Sequence, residues 1–254
     1  MKIFDFIRAM DELYPKSTSA PWDFDSLQCC YDPEKELRKV LVALDATEEM
    51  IDYAVANEYD LILTHHPMIF GNTGHIVPSE LYGRKLIKLI RGGVATASYH
   101  TRLDAGAHGV NDCLADIMEL QNVCAFGDEE LPTIGRIGDL PAPIEADELC
   151  RIIKERLNAP CVTLSGKGTV KKLAVVGGAG KSLVMAAKAV GADAILTGEV
   201  SYNSAIDFAD MGIAVIEAGH YYTEFPVCRH LAGLVAELAD VRADIYETAP
   251  QKHF

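Results

Sequence analysis

The sequence predicts an α/β fold in two similar lobes, with mainly parallel sheets and helices packed on them. Three observations carry that prediction. Residues 40–66 (VLVALDATEEMIDYAVANEYDLILTHH) align without a gap on residues 173–199 (LAVVGGAGKSLVMAAKAVGADAILTGE). Both copies open on an apolar strand, continue through a helical stretch and end in a second short strand, with Asp60-x-Ile62-Leu63-Thr64 falling on Asp193-x-Ile195-Leu196-Thr197. Each copy is then followed by a matched piece: Gly93-Val94-Ala95 and His100-x-x-x-Asp104 in the first, Gly212-Ile213-Ala214 and His220-x-x-x-Glu224 in the second. Strands alternating with helices imply parallel pairing, with chemistry at the carboxyl ends of the strands.

The elements follow from periodicity. Residues 1–13 suit a helix, since Ile3, Phe6, Ile7 and Met10 recur at helical spacing. Pro15 to Pro21 is a loop. The apolar run 37–44 is a strand, and 47–57 a helix capped near Thr47 with Glu48 and Glu49 in its first turn. Residues 60–64 form a strand, 79–91 a helix, 94–99 a strand and 109–120 a helix with Leu114, Ile117 and Met118 inward. The stretch 126–168 is richer in Pro and Gly and is expected as a smaller insert, with one helix (Leu149, Ile152, Ile153 and Leu157 on its apolar face) and a strand at 161–165. The second copy supplies strand 173–176, helix 180–190, strands 193–197 and 213–217, and helix 226–238, and the tail ADIYET pairs as a last strand. On this reading the first lobe is 1–125, and the second is 126–254 including the insert.

Bulk composition narrows the function classes. A chain of 254 residues buries a substantial core, and 49% apolar with 24% charged residues is the make-up of a globular protein. A net charge of −14 argues against nucleic acid or an anionic membrane as a partner held by bulk electrostatics. The start, MKIFDFIRAMDELYPK, carries Asp5, Asp11 and Glu12 and lacks the apolar stretch of a signal peptide, and no apolar run reaches the roughly 18 residues of a membrane span. Seven cysteines without C-x-x-C spacing read as reduced thiols, so a cytoplasmic location is expected.

Chemistry concentrates at the strand ends. His65-His66 follows LILT directly, and where a strand turns, two adjacent imidazoles can face one crevice; Pro67 favours an extended His66. His100 with Asp104, and His220 with Glu224, are spaced four apart and share a face if their segments are helical. Four of the eight histidines fall at these ends; His75, His108, His230 and His253 do not. Imidazole and carboxylate together are ligands for Zn, Fe, Mn or Ni. Six candidates (His65, His66, His100, Asp104, His220, Glu224) exceed one tetrahedral ion and suit two ions with open positions. The segment GGAGKS at 177–182 fails the Walker pattern, because Val175 stands where glycine is required. It reads as a tight strand-to-helix turn, with a phosphate held on its backbone N–H groups, through Gly178 and Lys181, as the alternative. Trp22, the only tryptophan, reads as a packing anchor in the loop before Asp23.

The segments LILTHHPMIF, SYHTRLDAGAHGVNDCLA, TIGRIGDL, AVVGGAGKS, DAILTGE and EAGHYYTEFP run along most of the chain, and with them the sequence resembles the NIF-three-like dinuclear metal-centre family. Members of that family often carry the label GTP cyclohydrolase 1 type 2 homologue. The resemblance implies a two-lobed α/β protein assembled as a homohexameric toroid, with metal sites facing its interior. It implies two divalent ions per subunit held by His65, His66, Asp104, His220 and Glu224, with His100 beside them as a proton-transfer or orienting group. Two positions depart from the family pattern: Phe24 follows Asp23 in place of Asn, and Val200-Ser201-Tyr202-Asn203 lacks the histidine that often follows TGE. The expected activity is metal-dependent hydrolysis of a small nucleotide-like or phosphorylated substrate; the alternative is a non-enzymatic metal-binding or regulatory ring protein.

Overall fold

In the computed structural model, which describes residues 1–249, 251 and 252, the repeat is legible as strand pairing. His253 lies outside the described residues. Helix α1 (Ile3–Leu13) buries Ile3, Phe6, Ile7 and Met10, the stripe its spacing predicts. A 3-10 turn at Lys16–Thr18 leads to β1 (Ser26–Cys29), a short half-buried strand without a clear sequence signal. Then come β2 (Lys39–Ala43), α2 (Glu48–Ala56), β3 (Leu61–Thr64), α3 (Leu81–Gly92), β4 (Ala95–Ser98) and α4 (Thr101–Ala105) in the expected order. The Thr47 hydroxyl accepts from the Met50 amide at 3.2 Å and caps α2, and Gly93 ends α3 at φ +64°.

The chain continues through α5 (Val110–Ile117), β5 (Gln121–Phe126), β6 (Gly135–Glu145), α6 (Ala146–Arg156), β7 (Thr163–Ser165) and β8 (Thr169–Val176). After a 3-10 turn at Lys181–Leu183 it forms α7 (Val184–Ala189), β9 (Ala194–Thr197), α8 (Tyr202–Asp210), β10 (Ala214–Glu217) and α9 (His220–Glu224), and ends with α10 (Val227–Ala239) and β11 (Arg242–Ile245). Among the described residues no helix is long and apolar enough to cross a membrane.

Two units result. The first holds Met1–Leu103 and Val227–Thr248 around a five-stranded sheet ordered β1-β4-β3-β2-β11. It is parallel except for β1 against β4. The second holds Asp104–Pro226 around a six-stranded sheet ordered β5-β6-β8-β9-β10-β7. Here only β8, β9 and β10 run parallel, because β5, β6 and β7 join antiparallel neighbours, so this sheet is mixed where a mainly parallel one was expected.

These units differ from the expected lobes 1–125 and 126–254. The last helix and strand return to the first unit, where β11 pairs in parallel with β2 from Arg242↔Lys39 to Ile245↔Val42. The repeat carries no information on where that terminal segment docks. Residues 126–168 do not stand apart as an insert either: β6 pairs with β8, β7 with β10, and Leu149 and Ile153 of α6 lie in the unit's core.

The two copies match residue for residue. Val40↔Leu61 to Ala43↔Thr64 in the first sheet has the same register as Leu173↔Ala194 to Val176↔Thr197 in the second. Strands β8 and β9 of the second unit are buried on both faces: Leu173, Val175, Ala194 and Leu196 pack in one core, Ala174, Val176 and Ile195 in the other. That is why the strands read as continuous apolar runs rather than alternating ones.

Candidate metal centre

In the first unit the chain turns at the carboxyl ends of β3 and β4, and three imidazoles meet there. Ring centroids are 4.9 Å apart for His65 and His66, 5.2 Å for His65 and His100, and 5.6 Å for His66 and His100. One ligand nitrogen from each lies within 4.8 Å of the others. Adjacent residues of a strand normally diverge; here the strand has ended at Thr64, whose hydroxyl donates to the His66 carbonyl at 2.7 Å and tightens the bend.

Each ring has its Nδ1 against an oxygen. His65 Nδ1 donates to the Tyr99 carbonyl at 2.9 Å, His66 Nδ1 contacts Asp45 Oδ1 at 2.8 Å, and His100 Nδ1 contacts both Asp23 oxygens at 3.1 Å. A carbonyl or ionised carboxylate only accepts, so Nδ1 carries the proton in each contact and Nε2 is the ring's other nitrogen, turned away from that acceptor. This is how metal-ligating histidines are commonly oriented.

Asp23 is itself fixed. It accepts from the Thr101 amide at 3.0 Å and the Thr101 hydroxyl at 2.5 Å. Burial pushes its carboxyl up, but the His100 contact and the Thr101 bonds outweigh burial and hold it well below the usual carboxylate range. Next to it, Asp25 Oδ2 accepts from the His100 amide at 3.1 Å and from Arg102 Nε at 2.8 Å. Arg102 is fully buried, reaches Asp11 and the Tyr14 carbonyl at 2.7 Å each, and lies over the Tyr99 ring. The backbone that carries His100 is therefore pinned from below by a buried ion pair.

In the second unit α9 places His220 and Glu224 one turn apart, with His220 Nε2 3.1 Å from Glu224 Oε2 and His220 Nδ1 3.1 Å from Glu199 Oε1. The glycine turn lies against them. A Cβ on Gly178 (φ +65°) would stand 2.1 Å from Glu224 Oε1 and 3.1 Å from His220 Nε2, so a side chain there would occupy the carboxylate's place. The turn's N–H groups are already committed: Gly177 donates to Asn111 Oδ1 at 2.8 Å, Gly178 to the Thr223 hydroxyl at 3.1 Å and Gly180 to the Thr197 hydroxyl at 3.0 Å. These bonds favour the tight-turn reading over the phosphate cradle. Asp104, in α4, is nearly buried, and its carbonyl accepts from Asn111 Nδ2 at 3.3 Å.

Sequence reasoning found the imidazoles and acids of α4 and α9 but not their orienting partners. Asp45 and Glu199 gave no signal, because each is a single acid at a strand end. In the repeat, Glu199 is the counterpart of His66, so one position supplies a candidate ligand in the first copy and an orienting carboxylate in the second. Asp23 was visible only as the neighbour of Trp22.

Comparison with known proteins agrees with this fold. A Clostridium perfringens protein named GTP cyclohydrolase 1 type 2 homolog is 33% identical over 245 residues, covering 94% of this chain and 93% of that protein. A Lactococcus lactis protein of the same name is 30% identical over 257 residues, covering 98% and 96%. Among solved structures, a Staphylococcus aureus hypothetical protein superposes with TM-score 0.91 at 25% identity over 100% of this chain and 99% of its own. Reduced HcgD from Methanocaldococcus jannaschii superposes with TM-score 0.84 at 25% identity over 98% of each chain. The sequence model of one family matches residues 1–251, and the chain belongs to that family, Duf34/NIF3 (NGG1p interacting factor 3).

Proposed function

We propose that this protein holds two divalent metal ions per subunit through His65, His66, Asp104, His220 and Glu224, and acts as a metal-dependent hydrolase on a small nucleotide-like or phosphorylated substrate. The observation that supports this reading most is the common posture of four imidazoles. His65, His66, His100 and His220 each place Nδ1 against an oxygen, the orientation common to metal-ligating histidines, and His220 Nε2 lies 3.1 Å from the second candidate ligand Glu224. Bound divalent ions supply Lewis-acid polarisation of a substrate oxygen and acidify water.

The chain's own residues do the rest. Asp45 orients His66, and Asp23 orients His100. His100 is then the group that moves a proton at Nε2. The bare Gly178 keeps room for the Glu224 carboxylate. The name GTP cyclohydrolase 1 type 2 homolog borne by the relatives agrees with a nucleotide-like substrate. Imidazole and carboxylate donors accept Zn, Fe, Mn and Ni alike, so the donor set does not select one metal. The subunits assemble as a homohexameric ring, a reading that rests on the family resemblance.

Elemental analysis of anaerobically purified protein tests the centre. About two ions per chain are expected, falling in His65→Ala and in Glu224→Ala. Metal content unchanged in both variants overturns the ligand set. The activity is tested by offering GTP, other nucleotides and phosphoesters to protein loaded with each metal. Absence of turnover with all of them removes the hydrolase, and co-purifying partner proteins would then favour the non-enzymatic ring. Light scattering on the eluting protein reads the subunit number.

A further inference from the structure

Three large aromatic side chains of the first unit lie open at the histidine cluster. Trp22 is 46% exposed, Phe24 43% and Phe70 51%, where residues of this kind are usually covered. Trp22 is therefore not the packing anchor its isolation in the sequence predicts. The rings touch one another: Trp22 and Phe70 centroids are 6.0 Å apart at 49°, and Phe24 and Phe70 are 5.9 Å apart at 61°. Trp22 and Phe70 each approach His100, at 6.2 Å and near-perpendicular planes of 70° and 82°. None of these pairs is stacked face to face, so the contacts within the group leave ring faces uncovered by one another.

The group is also fixed in place. Gln28 Nε2 donates to the Phe24 carbonyl at 3.1 Å and to the Ile69 carbonyl at 2.8 Å, while Gln28 Oε1 accepts from the Ile69 amide at 3.2 Å. One side chain thus ties the loop bearing Phe24 to the loop bearing Phe70. Trp22 is held through its neighbour Asp23, whose carboxylate is bound by His100 and Thr101. Aromatic surface that is exposed, clustered and held by polar bonds marks a binding surface rather than scattered apolar exposure.

We infer that Trp22, Phe24 and Phe70 form a stacking platform for a planar heteroaromatic ring, a nucleobase, belonging to the molecule acted on beside His100. A flat π-system is the ligand that aromatic faces select, and stacking tolerates the identity of the base. The assignment of that ring to a substrate rests on the hydrolase reading; the platform itself rests on the aromatic geometry. Phe24 adds a third ring through its contact with Phe70.

Trp22 is the chain's only tryptophan, so its fluorescence reports on this surface alone. The experiment titrates full-length protein, chelated and metal-loaded, with guanosine and adenosine monophosphate, and with ribose 5-phosphate as the ring-free control. Saturable quenching by both nucleotides and none by ribose 5-phosphate is expected, with affinity weakened about tenfold in Phe70→Ala and severalfold in Phe24→Asn. Equal response to ribose 5-phosphate, or unchanged affinity in both variants, overturns the platform. So does failure of iodide to quench Trp22 in the native assembly, which would mean that another copy covers it. Nucleotide quenching without turnover of any substrate keeps the platform and removes the hydrolase. Turnover with unchanged KM in both phenylalanine variants does the reverse.

Discussion

Asp60 and Asp193 make the same bonds in the two copies of the repeat. Asp60 Oδ2 accepts from the amides of Arg38 at 2.9 Å and Lys39 at 3.1 Å; Asp193 Oδ2 accepts from those of Lys171 at 2.9 Å and Lys172 at 2.8 Å. Each acid binds two consecutive amides of the preceding parallel strand's segment, at the entry to β2 in the first copy and at the third and fourth residues of β8 in the second. The two sites differ in burial: Asp60 is buried and also pairs with Lys35 at 2.8 Å, whereas Asp193 is exposed. Asp60→Ala should therefore cost about 2–3 kcal/mol and Asp193→Ala about 1 kcal/mol, because water replaces the lost acceptor only at the exposed site. Urea denaturation of the two variants checks the order; equal costs would show that burial does not set it.

Gly178 and Gly93 offer a matched pair. Their φ values are +65° and +64°, but a Cβ at Gly93 meets open space, while one at Gly178 meets Glu224 Oε1. Alanine at either site should destabilise the fold by about 1 kcal/mol through backbone strain. Only Gly178→Ala displaces the carboxylate, so only that variant should lose metal affinity, by tenfold or more. Equilibrium dialysis against zinc separates the two effects.

Asp45 should matter to metal without touching it. Its carboxylate orients His66, and removal of such partners typically costs about 10–100-fold in metal affinity. Asp45→Ala should fall in that range, while Asp45→Asn, which still accepts from Nδ1, should lose less. Equal losses in both would mean that charge rather than orientation is the contribution.

Asp23 gives a pH signature. Its carboxyl sits below the ordinary range, because the bonds from His100 and Thr101 outweigh the opposing effect of burial. A lowered carboxyl stabilises the fold above its unfolded value, about 3.9, and that stability is lost as pH falls through the folded value. Asp23→Asn should be about 2 kcal/mol less stable at pH 7, and should lose less further stability on acidification than the parent. Denaturant midpoints between pH 7 and pH 3 measure both quantities.

The thiols should react unequally. Burial, with lesser contributions from neighbouring acids, pushes Cys113 and Cys150 up to about 11, while Cys124 and Cys161 are exposed. At pH 8 only about one in a thousand molecules carries a thiolate at Cys113 or Cys150. Iodoacetamide at that pH should label Cys124 and Cys161 first, which peptide mass spectrometry resolves site by site.

Much of the fold was legible because the repeat copies strands buried on both faces, and continuous apolar runs announce such strands directly. β1, β5 and β6 were not legible. β1 is half-buried, β5 is exposed along most of its length, and β6 contains Pro141 and Pro143, so none of the three shows a clean period. Helix α8 was hidden because Ala205 is its only fully buried residue.

The sequence alone determined the α/β class, the duplicated strand–helix–strand unit and the imidazoles and acids at the strand ends, since each of these is written in local pattern or in duplication. Tertiary structure decided what no local pattern encodes. It returned β11 to the side of β2, drew Asp23 beneath His100, and exposed Trp22 where a solitary aromatic would be expected to pack. Those outcomes depend on which distant segments share a sheet edge or a hydrogen bond. That is settled by burial and polar satisfaction over the whole chain, and spacing along it does not record them.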